Sequence, residues 1–342
     1  MTDTVVEPVP RERGWRQVVG ALALLLLLPA MPPIAMAVPV TETALLLVPA
    51  LAACALAGWK AGGRLFLAVL WVAFAAWVMA TGPAGSQYSL LVRGWAVLVA
   101  VAFGGMALVW PSRPFLPRAL AALGVAFVVG GLSSFAAPGG PQGVRQVVAA
   151  ETLRRADAFE EDWRIRLGSK DWRDFRTANK ESADWFEQAL VEQRVMVRQT
   201  AEQSPAVFPA LLALESLAAL GLAWALYHRV GRARIGAPLA ALREFRFNDQ
   251  FIWGLVSGLA FLVMPGFRPA AGVGANLLLF FGALYGLRGA GVALFFLAPG
   301  RLMTVVLVSV SVLFAGAAGV IFVGLGLGDT WLDWRRRERP ST

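Results

Sequence analysis

The sequence predicts an all-α protein, a polytopic transmembrane helical bundle of about 8–10 spans with an amphipathic helical insertion. Apolar stretches of about twenty residues recur along the chain, and a helix of that length covers about 30 Å of hydrocarbon. No segment alternates apolar and polar residues as membrane strands do. Within lipid only helices and closed barrels pair every backbone polar group. We therefore expect helices, with the lipid bilayer as their surroundings.

Composition separates this chain from soluble proteins. Of its 342 residues, 58% are hydrophobic and 15% are charged, whereas soluble domains carry about 25% charged residues. The net charge of +9 is spread over short loops and the C-terminal tail. Phosphate binding needs a concentrated basic surface, so we expect no nucleic acid partner. Basic loops of this kind instead set the orientation of membrane helices.

Residues that carry common enzyme and metal chemistry are scarce. Cys54 is the single cysteine and His228 the single histidine, so no Cys/His set exists for zinc or an iron–sulfur cluster. The sequence also lacks a phosphate-binding loop, a zinc-protease motif and a Gly-x-Ser-x-Gly motif. We predict no catalytic residues, no metal and no cofactor. The remaining enzyme alternative, an intramembrane one, would need two polar groups that converge at one depth.

Nine apolar stretches are candidate membrane spans. They cover Val18–Val38, Thr43–Trp59, Leu65–Thr81, Gly94–Trp110, Ala119–Phe135, Val207–Tyr227, Phe251–Gly266, Gly274–Ala298 and Leu302–Leu327. Between the fifth and the sixth, residues 145–202 contain 11 basic and 12 acidic side chains, too many for hydrocarbon. The predicted organisation is a cytoplasmic N-terminal tail (1–16), N-terminal transmembrane helices (17–138), an extramembrane helical insertion (139–204), C-terminal transmembrane helices (205–328) and a basic cytoplasmic tail (329–342).

Basic residues predict the orientation of the chain in a bacterial cytoplasmic (inner) membrane. They precede spans one, three and five and follow span six: Arg11, Arg13, Arg16, Lys60, Arg64, Arg113, Arg118, Arg229, Arg232, Arg234, Arg243 and Arg246. Positively charged loops stay in the cytoplasm, which places the insertion outside. Nine spans would put the last arginines outside too, so either residues 274–327 include a short or re-entrant pair or one stretch does not cross. We expect an even count and a cytoplasmic C-terminus.

The N-terminus has two interpretations. Arginines before the first apolar stretch, followed by Ala35-Met36-Ala37, resemble a signal peptide with its cleavage site. However, Pro29, Pro32 and Pro33 crowd that site and further spans follow immediately, which favours a retained first helix.

The insertion is predicted to form two amphipathic helices separated by Gly168-Ser169. Apolar residues recur at helical spacing in each half, namely Val148, Thr152, Ala156, Phe159 and Trp163, then Phe186, Ala189, Leu190 and Val197. Four aromatic residues among the charges, Trp163, Trp172, Trp185 and Phe186, are candidates for docking on the membrane surface or on a partner protein. The alternative is a hairpin that packs on itself and on the outer ends of the bundle.

Three polar residues at membrane depth are candidates for binding a solute. An ionisable residue inside an apolar helix costs at least about 2.5 kcal/mol on insertion scales, so it usually faces a partner or a wet cavity. Glu215 is the clearest case, Arg288 is its candidate partner, and Asn276 is a further polar group. Glu215 would bind a cation, a proton or a polar substrate. The alternatives are an interhelical hydrogen bond or a position near the outer interface for Glu215, and a structural bridge for Asn276.

Pairs of glycines four residues apart predict close helix crossings. The pairs are Gly254/Gly258, Gly282/Gly286 and Gly324/Gly328. Small residues at this spacing let helix backbones approach each other in lipid. They concern packing and carry no function by themselves.

Three segments of the C-terminal half carry a resemblance to a known family. They are Leu242-Arg-Glu-Phe-Arg-Phe-Asn-Asp-Gln-Phe-Ile-Trp253, Ala275-Asn-Leu-Leu-Leu-Phe-Phe-Gly-Ala-Leu-Tyr-Gly-Leu-Arg-Gly289 and Gly326-Leu-Gly-Asp-Thr-Trp-Leu-Asp-Trp-Arg335. Over roughly the last hundred residues the chain resembles the YybS-like family of predicted bacterial membrane proteins, a domain of unknown function. That family is similar to the substrate-binding S components of energy-coupling-factor transporters, helical bundles that capture a vitamin or a metal. The resemblance implies a fold relation, and a fold does not fix a function.

The sequence therefore supports two functional hypotheses. The first is a transporter-like component that binds a small polar solute, with Glu215, Asn276 and Arg288 lining a pocket. The second is a non-catalytic scaffold or interaction protein of the cell envelope that binds membrane protein partners through its insertion. The identity of any small-molecule ligand cannot be read from these residues.

The predicted orientation can be tested with topology reporters fused after Ser169 and after the C-terminal residue. Because the loops before spans three and five are basic and the insertion is charge-balanced, we expect periplasmic activity after Ser169 and cytoplasmic activity at the C-terminus. Alkaline phosphatase and green fluorescent protein fusions measure the two locations. Cytoplasmic fluorescence after Ser169 would overturn the orientation.

Overall fold

The computed structural model describes residues 15–27, 31–81, 85–231 and 234–337. Within these ranges the secondary structure is helical and contains no strand, which confirms the all-α fold class. The helices are α1 (Trp15–Leu27), α2 (Pro32–Ala37), α3 (Val40–Lys60), α4 (Leu65–Thr81), α5 (Gln87–Val109), α6 (Phe115–Ala136), α7 (Gly140–Leu167), α8 (Lys170–Ala178), α9 (Lys180–Val230), α10 (Ile252–Val263), α11 (Ala271–Leu297), α12 (Arg301–Leu313), α13 (Ala315–Leu332) and α14 (Trp334–Arg337). Short 3-10 helices occupy Leu242–Glu244, Asp249–Phe251 and Pro265–Ala270.

Six helical segments in the described residues are long and apolar enough to cross a membrane. They are Val40–Lys60, Gln87–Val109, Phe115–Ala136, Lys180–Val230, Pro265–Leu297 and Ala315–Leu332. Shorter apolar helices lie at Val18–Leu27, Leu65–Thr81, Asp249–Val263 and Leu302–Leu313. Each of the seven central predicted spans corresponds to one helix. Together these segments make the chain a multi-pass membrane protein by length and composition.

The first and last predicted spans are each divided between two helices. Val18–Val38 contains α1 and α2, and its residues 28–30, including Pro29, lie outside the described part of the chain. Leu302–Leu327 is divided at Phe314, where α12 ends and α13 begins. With 13 residues, α12 is about 20 Å long and too short to cross alone.

The described residues divide into two compact units, one up to Gly236 and one from Ala237. Helix α9 runs without interruption from the insertion into a predicted span and crosses the predicted boundary at residue 204. Of the predicted N-terminal tail (1–16), residues 1–14 lie outside the described part of the chain. The predicted C-terminal tail (329–342) is also partly helical, since α13 continues to Leu332 and α14 follows.

In the N-terminal unit, α3 occupies the centre and packs against α4, α5 and α9. Its small residues make close packing possible, and Ala50, Cys54 and Ala57 are at most 2% exposed. Cys54 is a free thiol within this core. Helix α6 packs on α5, and Trp95 of α5 stacks near Phe127 of α6 at a centroid distance of 4.8 Å.

The insertion forms a helical hairpin of α7 and α9 with the short α8 at its tip. The break at Gly168-Ser169 is found as predicted: Gly168 ends α7, and the Ser169 hydroxyl accepts a hydrogen bond from the Trp172 amide at the start of α8. Most of the predicted apolar positions are buried or partly buried between the helices, with Val148, Thr152, Ala156, Leu190 and Val197 the most buried. Ala189 is an exception and is exposed.

Pro205 inside α9 explains a hydrogen bond between the two long helices of the hairpin. Pro205 has no amide hydrogen, so the carbonyl of Ala201, one turn earlier, loses its usual helical donor. The Thr152 hydroxyl of α7 lies 2.9 Å from that carbonyl oxygen and takes the place of the missing donor. Thr152 is 1% exposed, so the hydrogen bond is shielded from water. A backbone defect in α9 is thus compensated by α7.

In the C-terminal unit, α10 and α13 both pack against α11. On the α10 side, Gly254 faces the Phe281 ring, and Gly258 faces Gly274 and Leu278. On the α13 side, a Cβ atom at Gly289 would lie 1.7 Å from the Phe322 carbonyl oxygen, and one at Gly326 would lie 2.1 Å from the Tyr285 carbonyl oxygen. No side chain fits at either position.

We predict opposite effects for two neighbouring alanine substitutions in α13. Gly326→Ala forces apart the backbones of α11 and α13 and should destabilise the protein by roughly 1–3 kcal/mol, as overpacking does. Gly324→Ala has no heavy atom within 4 Å of the added Cβ and should leave stability unchanged or raise it by up to about 1 kcal/mol. Thermal unfolding in detergent measures both. Equal melting temperatures of the two variants would contradict the crossing.

Candidate functional site

A buried ion pair joins the hairpin of α7 and α9 to the apolar bundle. Arg155 of α7 donates from Nη2 to Oε1 of Glu42 at 2.5 Å and from Nε to Oε1 of Glu151 at 3.0 Å. Its Nη1 donates to the Met36 carbonyl oxygen at 3.2 Å. Glu42 is 5% exposed, in the first turn of α3, where the helix dipole also favours a carboxylate. The guanidinium of Arg155 therefore connects the hairpin to both α2 and α3.

Two further features support the charge on Arg155. Its guanidinium lies 4.8 Å from the centroid of the Tyr88 ring, within range of a cation–π interaction. Burial disfavours the cation, but the carboxylate of Glu42 and the side chain of Tyr88 outweigh it and raise the pKa of Arg155 above its usual range. Arg155 is therefore a permanent cation at the base of the hairpin.

Glu215 lies next to this ion pair, at the same end of α3. Thr43, which follows Glu42, donates its hydroxyl to Oε1 of Glu215 at 2.8 Å. Glu215 is 7% exposed and Thr43 is fully buried. The next residue of α9, Ser216, accepts a hydrogen bond from Trp95 Nε1 at 3.0 Å. Residues from α3, α5, α7 and α9 thus form one polar cluster, which we call the hairpin-base cluster (Glu42, Thr43, Tyr88, Glu151, Arg155 and Glu215).

The C-terminal unit contains a second buried ionic network, centred on Asp329. Arg288 donates from Nε to Asp329 Oδ2 at 2.9 Å and from Nη1 to Asp249 Oδ1 at 2.6 Å. Arg335 donates from Nη2 to Asp329 Oδ2 at 2.7 Å. Asp329 is 0% exposed, and both arginines are 3% exposed. One carboxylate at the end of α13 therefore holds two guanidinium groups.

The network joins all three segments that carry the family resemblance. Arg335 also donates to the carbonyl oxygens of Arg243 and Phe245, and the Arg288 guanidinium lies 5.4 Å from the Phe247 ring centroid. Gly291 lies against the Leu242 carbonyl, where a Cβ atom would be 2.4 Å from the oxygen. The shared motifs thus form a common structural centre around Asp329.

The contacts of Glu215, Arg288 and Asn276 are described within their own units, with Glu215 in the N-terminal unit and the other two in the C-terminal unit. Each side chain has partners within its own unit: Thr43 for Glu215, and Asp329 and Asp249 for Arg288. Asn276 donates to the Gly272 carbonyl of its own helix at 2.7 Å. The predicted pairing of Glu215 with Arg288 and the predicted pocket lined by all three residues stay predictions.

The predicted glycine pairs behave differently from one another. Gly254 and Gly258 make the expected close crossing with α11. A Cβ atom at Gly286 or Gly328 would approach one side chain, of Val323 or Trp334, whereas one at Gly282 or Gly324 would have no heavy atom within 4 Å. The tightest crossing of α11 instead uses Gly289 and Gly326, which lie on different helices and so escape a search for spaced pairs.

The predicted docking residues of the hairpin mostly contact one another. Trp163 and Trp172 both lie near Phe186, with ring centroids 5.6 and 5.2 Å apart, respectively. Trp185 points away and is 70% exposed. Three of the four predicted docking residues therefore stabilise the hairpin itself, and Trp185 remains available for a partner.

Several important residues were missed by the sequence reasoning. Glu42 and Asp329 are single acidic residues at the ends of apolar helices, where an acid is usually solvated and draws no attention. Arg155 and Arg335 each belong to a run of adjacent basic residues, which is typical of a surface. The common signal of the two acidic residues is a position just outside a predicted span, one residue before Thr43 and two residues after Leu327. Among the described residues, no group of three or more His, Cys, Asp or Glu side chains could hold a metal ion.

One comparison with known proteins gave a match. The family described as "Predicted membrane protein (DUF2232)" matches residues 167–330, from the end of α7 to the Asp329 network. The match extends further towards the N-terminus than the resemblance seen in the sequence and includes the second half of the insertion. No curated protein and no solved structure matches the chain. The chain is thus similar to a family of predicted membrane proteins of unknown function.

The hairpin-base cluster predicts that two adjacent arginines differ in importance. Arg155→Gln leaves the Glu42 carboxylate buried without its cation and should destabilise the protein by about 3–5 kcal/mol. Arg154→Gln removes only a contact with Glu151 from a side chain that is 67% exposed, which costs about 1 kcal/mol or less. Unfolding in detergent, followed by circular dichroism, measures the difference. Similar losses in both variants would contradict a structural role for the buried pair.

Proposed function

We propose that this chain is a non-catalytic, multi-pass protein of the bacterial cytoplasmic membrane that binds other envelope proteins through its helical hairpin. The observation that carries this proposal is the continuity of α9 together with the Arg155–Glu42 pair. With 51 residues, α9 is about 76 Å long, more than twice the thickness of the hydrocarbon layer. The hairpin is thus a fixed extension of the membrane bundle and can hold a partner at a defined position.

One face of α9 offers a surface for such a partner. Trp185, Val191, Val195 and Met196 are each more than half exposed. At about 100° per residue, they fall within roughly 140° of the helix circumference. Polar residues Gln188, Glu192 and Gln199 lie among them. An apolar face with interspersed polar groups fits a helix or groove of another protein, and exposed tryptophan and methionine are common at such interfaces.

Site-specific photocrosslinking in intact cells tests this proposal. A photoreactive amino acid at Trp185 should crosslink to a discrete envelope protein, because this side chain lies on the proposed surface. The matched control is Ile165 of α7, which is 64% exposed but lies on another helix. In the double variant Val195→Ser/Met196→Ser, crosslinking from position 185 should fall at least about tenfold. Equal crosslinking from positions 165 and 185, or no effect of the double variant, would refute the proposed surface.

A second candidate is a small-solute-binding component of a transporter. It is supported by Glu215, a carboxylate with a hydroxyl donor inside an apolar bundle, and by the resemblance to the YybS-like family with its relation to transporter S components. A ligand that stabilises the wild type but not Glu215→Gln in thermal unfolding would favour this candidate. Arg288 lies in an ionic network that already satisfies it, so we base the second candidate on Glu215 alone.

A further inference from the structure

The N-terminal unit contains a cleft beside the C-terminal end of α3, the end that is predicted to face the cytoplasm. Its floor is formed by Ala55 and Gly58 of α3, and its walls by Leu67 and Trp71 of α4 and by Leu226 and Val230 of α9. The cleft has a volume of about 100 Å³ and is open on one side. Both walls pack on α3, so the small floor residues create the depth of the cleft.

The cleft has apolar walls and a cationic end. Arg64, in the connection between α3 and α4, lines this end and is exposed. Lys60, the last residue of α3 and four residues before Arg64, is also exposed, and its Nζ lies 5.8 Å from the ring centroid of Trp59, which lines the cleft. Tryptophan and basic side chains together are typical of the boundary between hydrocarbon and headgroups. An occupant of this cleft must therefore have an apolar chain and an anionic end.

The surroundings of the cleft indicate where such an occupant comes from. Helix α4 is highly apolar, and its outward residues Phe66 and Leu70 are 72% and 50% exposed. In a membrane these side chains face lipid, so the cleft opens directly to acyl chains. A water-soluble anion would pair with Arg64 but would leave the walls of Leu67, Trp71 and Leu226 unfilled.

We propose that this cleft binds one acyl chain of an anionic phospholipid, whose phosphate pairs with Arg64 and Lys60. The volume of the cleft holds only part of the chain, and the rest lies along α4. Basic side chains near a membrane surface favour anionic lipid by about fivefold each. Binding of this kind gives the connection between α3 and α4 a specific lipid contact in addition to its general attraction to the cytoplasmic surface.

Native mass spectrometry of the full-length protein in neutral detergent tests the headgroup contact. Phosphatidylglycerol and phosphatidylcholine with identical palmitoyl-oleoyl chains are compared at equal concentration. We expect a preference of at least about fivefold for phosphatidylglycerol, reduced about fivefold by Arg64→Gln. The matched control Arg113→Gln removes an exposed arginine of the connection between α5 and α6, away from the cleft, and should change nothing. Equal effects of the two variants, or no preference in the wild type, would overturn the proposal.

Two further measurements test the chain contact. Glycerol phosphate should not displace phosphatidylglycerol, and displacement at equal concentration would show a site for free phosphate instead. Ala55→Phe fills the floor of the cleft and should reduce the lipid adducts severalfold, whereas unchanged adducts would overturn the acyl-chain assignment. If this variant does not fold, phosphatidylglycerol with a photoreactive group in the chain should label peptides of α3, α4 and α9 in the wild type. Labelling that avoids these helices would also overturn the assignment.

Discussion

The burial of charge between apolar helices is the constraint on which this structure depends. A guanidinium or carboxylate removed from water costs several kcal/mol unless it is paired and hydrogen-bonded. In each compact unit, arginine offsets this cost because its planar guanidinium donates several hydrogen bonds at once. Arg155 joins Glu42, Glu151 and the Met36 carbonyl. Around Asp329, Arg288 and Arg335 connect three segments that are distant in sequence. These contacts determine which helices pack together, since hydrophobic burial alone does not distinguish one apolar helix from another in lipid.

Much of the fold could be predicted from the sequence because the relevant signals are local. The length of an apolar stretch determines whether it spans a bilayer, and the seven central stretches each coincide with a helix. The hairpin was also predictable, since the 3.6-residue period of Val148, Thr152 and Ala156 and the break at Gly168 depend only on neighbouring residues. The continuity of α9 was not, because its charged and apolar halves suggest two separate elements.

The candidate site was less predictable because its contacts depend on tertiary structure. Depth in an apolar helix drew attention to Arg288 and Glu215, but it could not identify the partners that each side chain has within its own unit. Asp329 holds Arg288 because Gly289 and Gly326 let α11 and α13 cross closely. That crossing depends on two helices at once, so no pattern within either one reveals it. The same reason explains Trp163 and Trp172: their position among charged residues suggested an aromatic face for docking, whereas in the fold both lie near Phe186.

The hydrogen bond between Thr152 and the Ala201 carbonyl has a mechanical consequence. A helix bends most easily where proline interrupts its hydrogen bonds, and Pro205 lies close to the position where α9 becomes apolar. Thr152 of α7 stabilises this point by its hydrogen bond to α9. One turn further along α7, Arg155 forms the buried pair with Glu42. A lateral force on the tip of the hairpin therefore tilts α7 and α9 together as a single lever. Such a lever connects the tip of the hairpin to Tyr227, whose hydroxyl accepts a hydrogen bond from the Ile235 amide near the other end of α9.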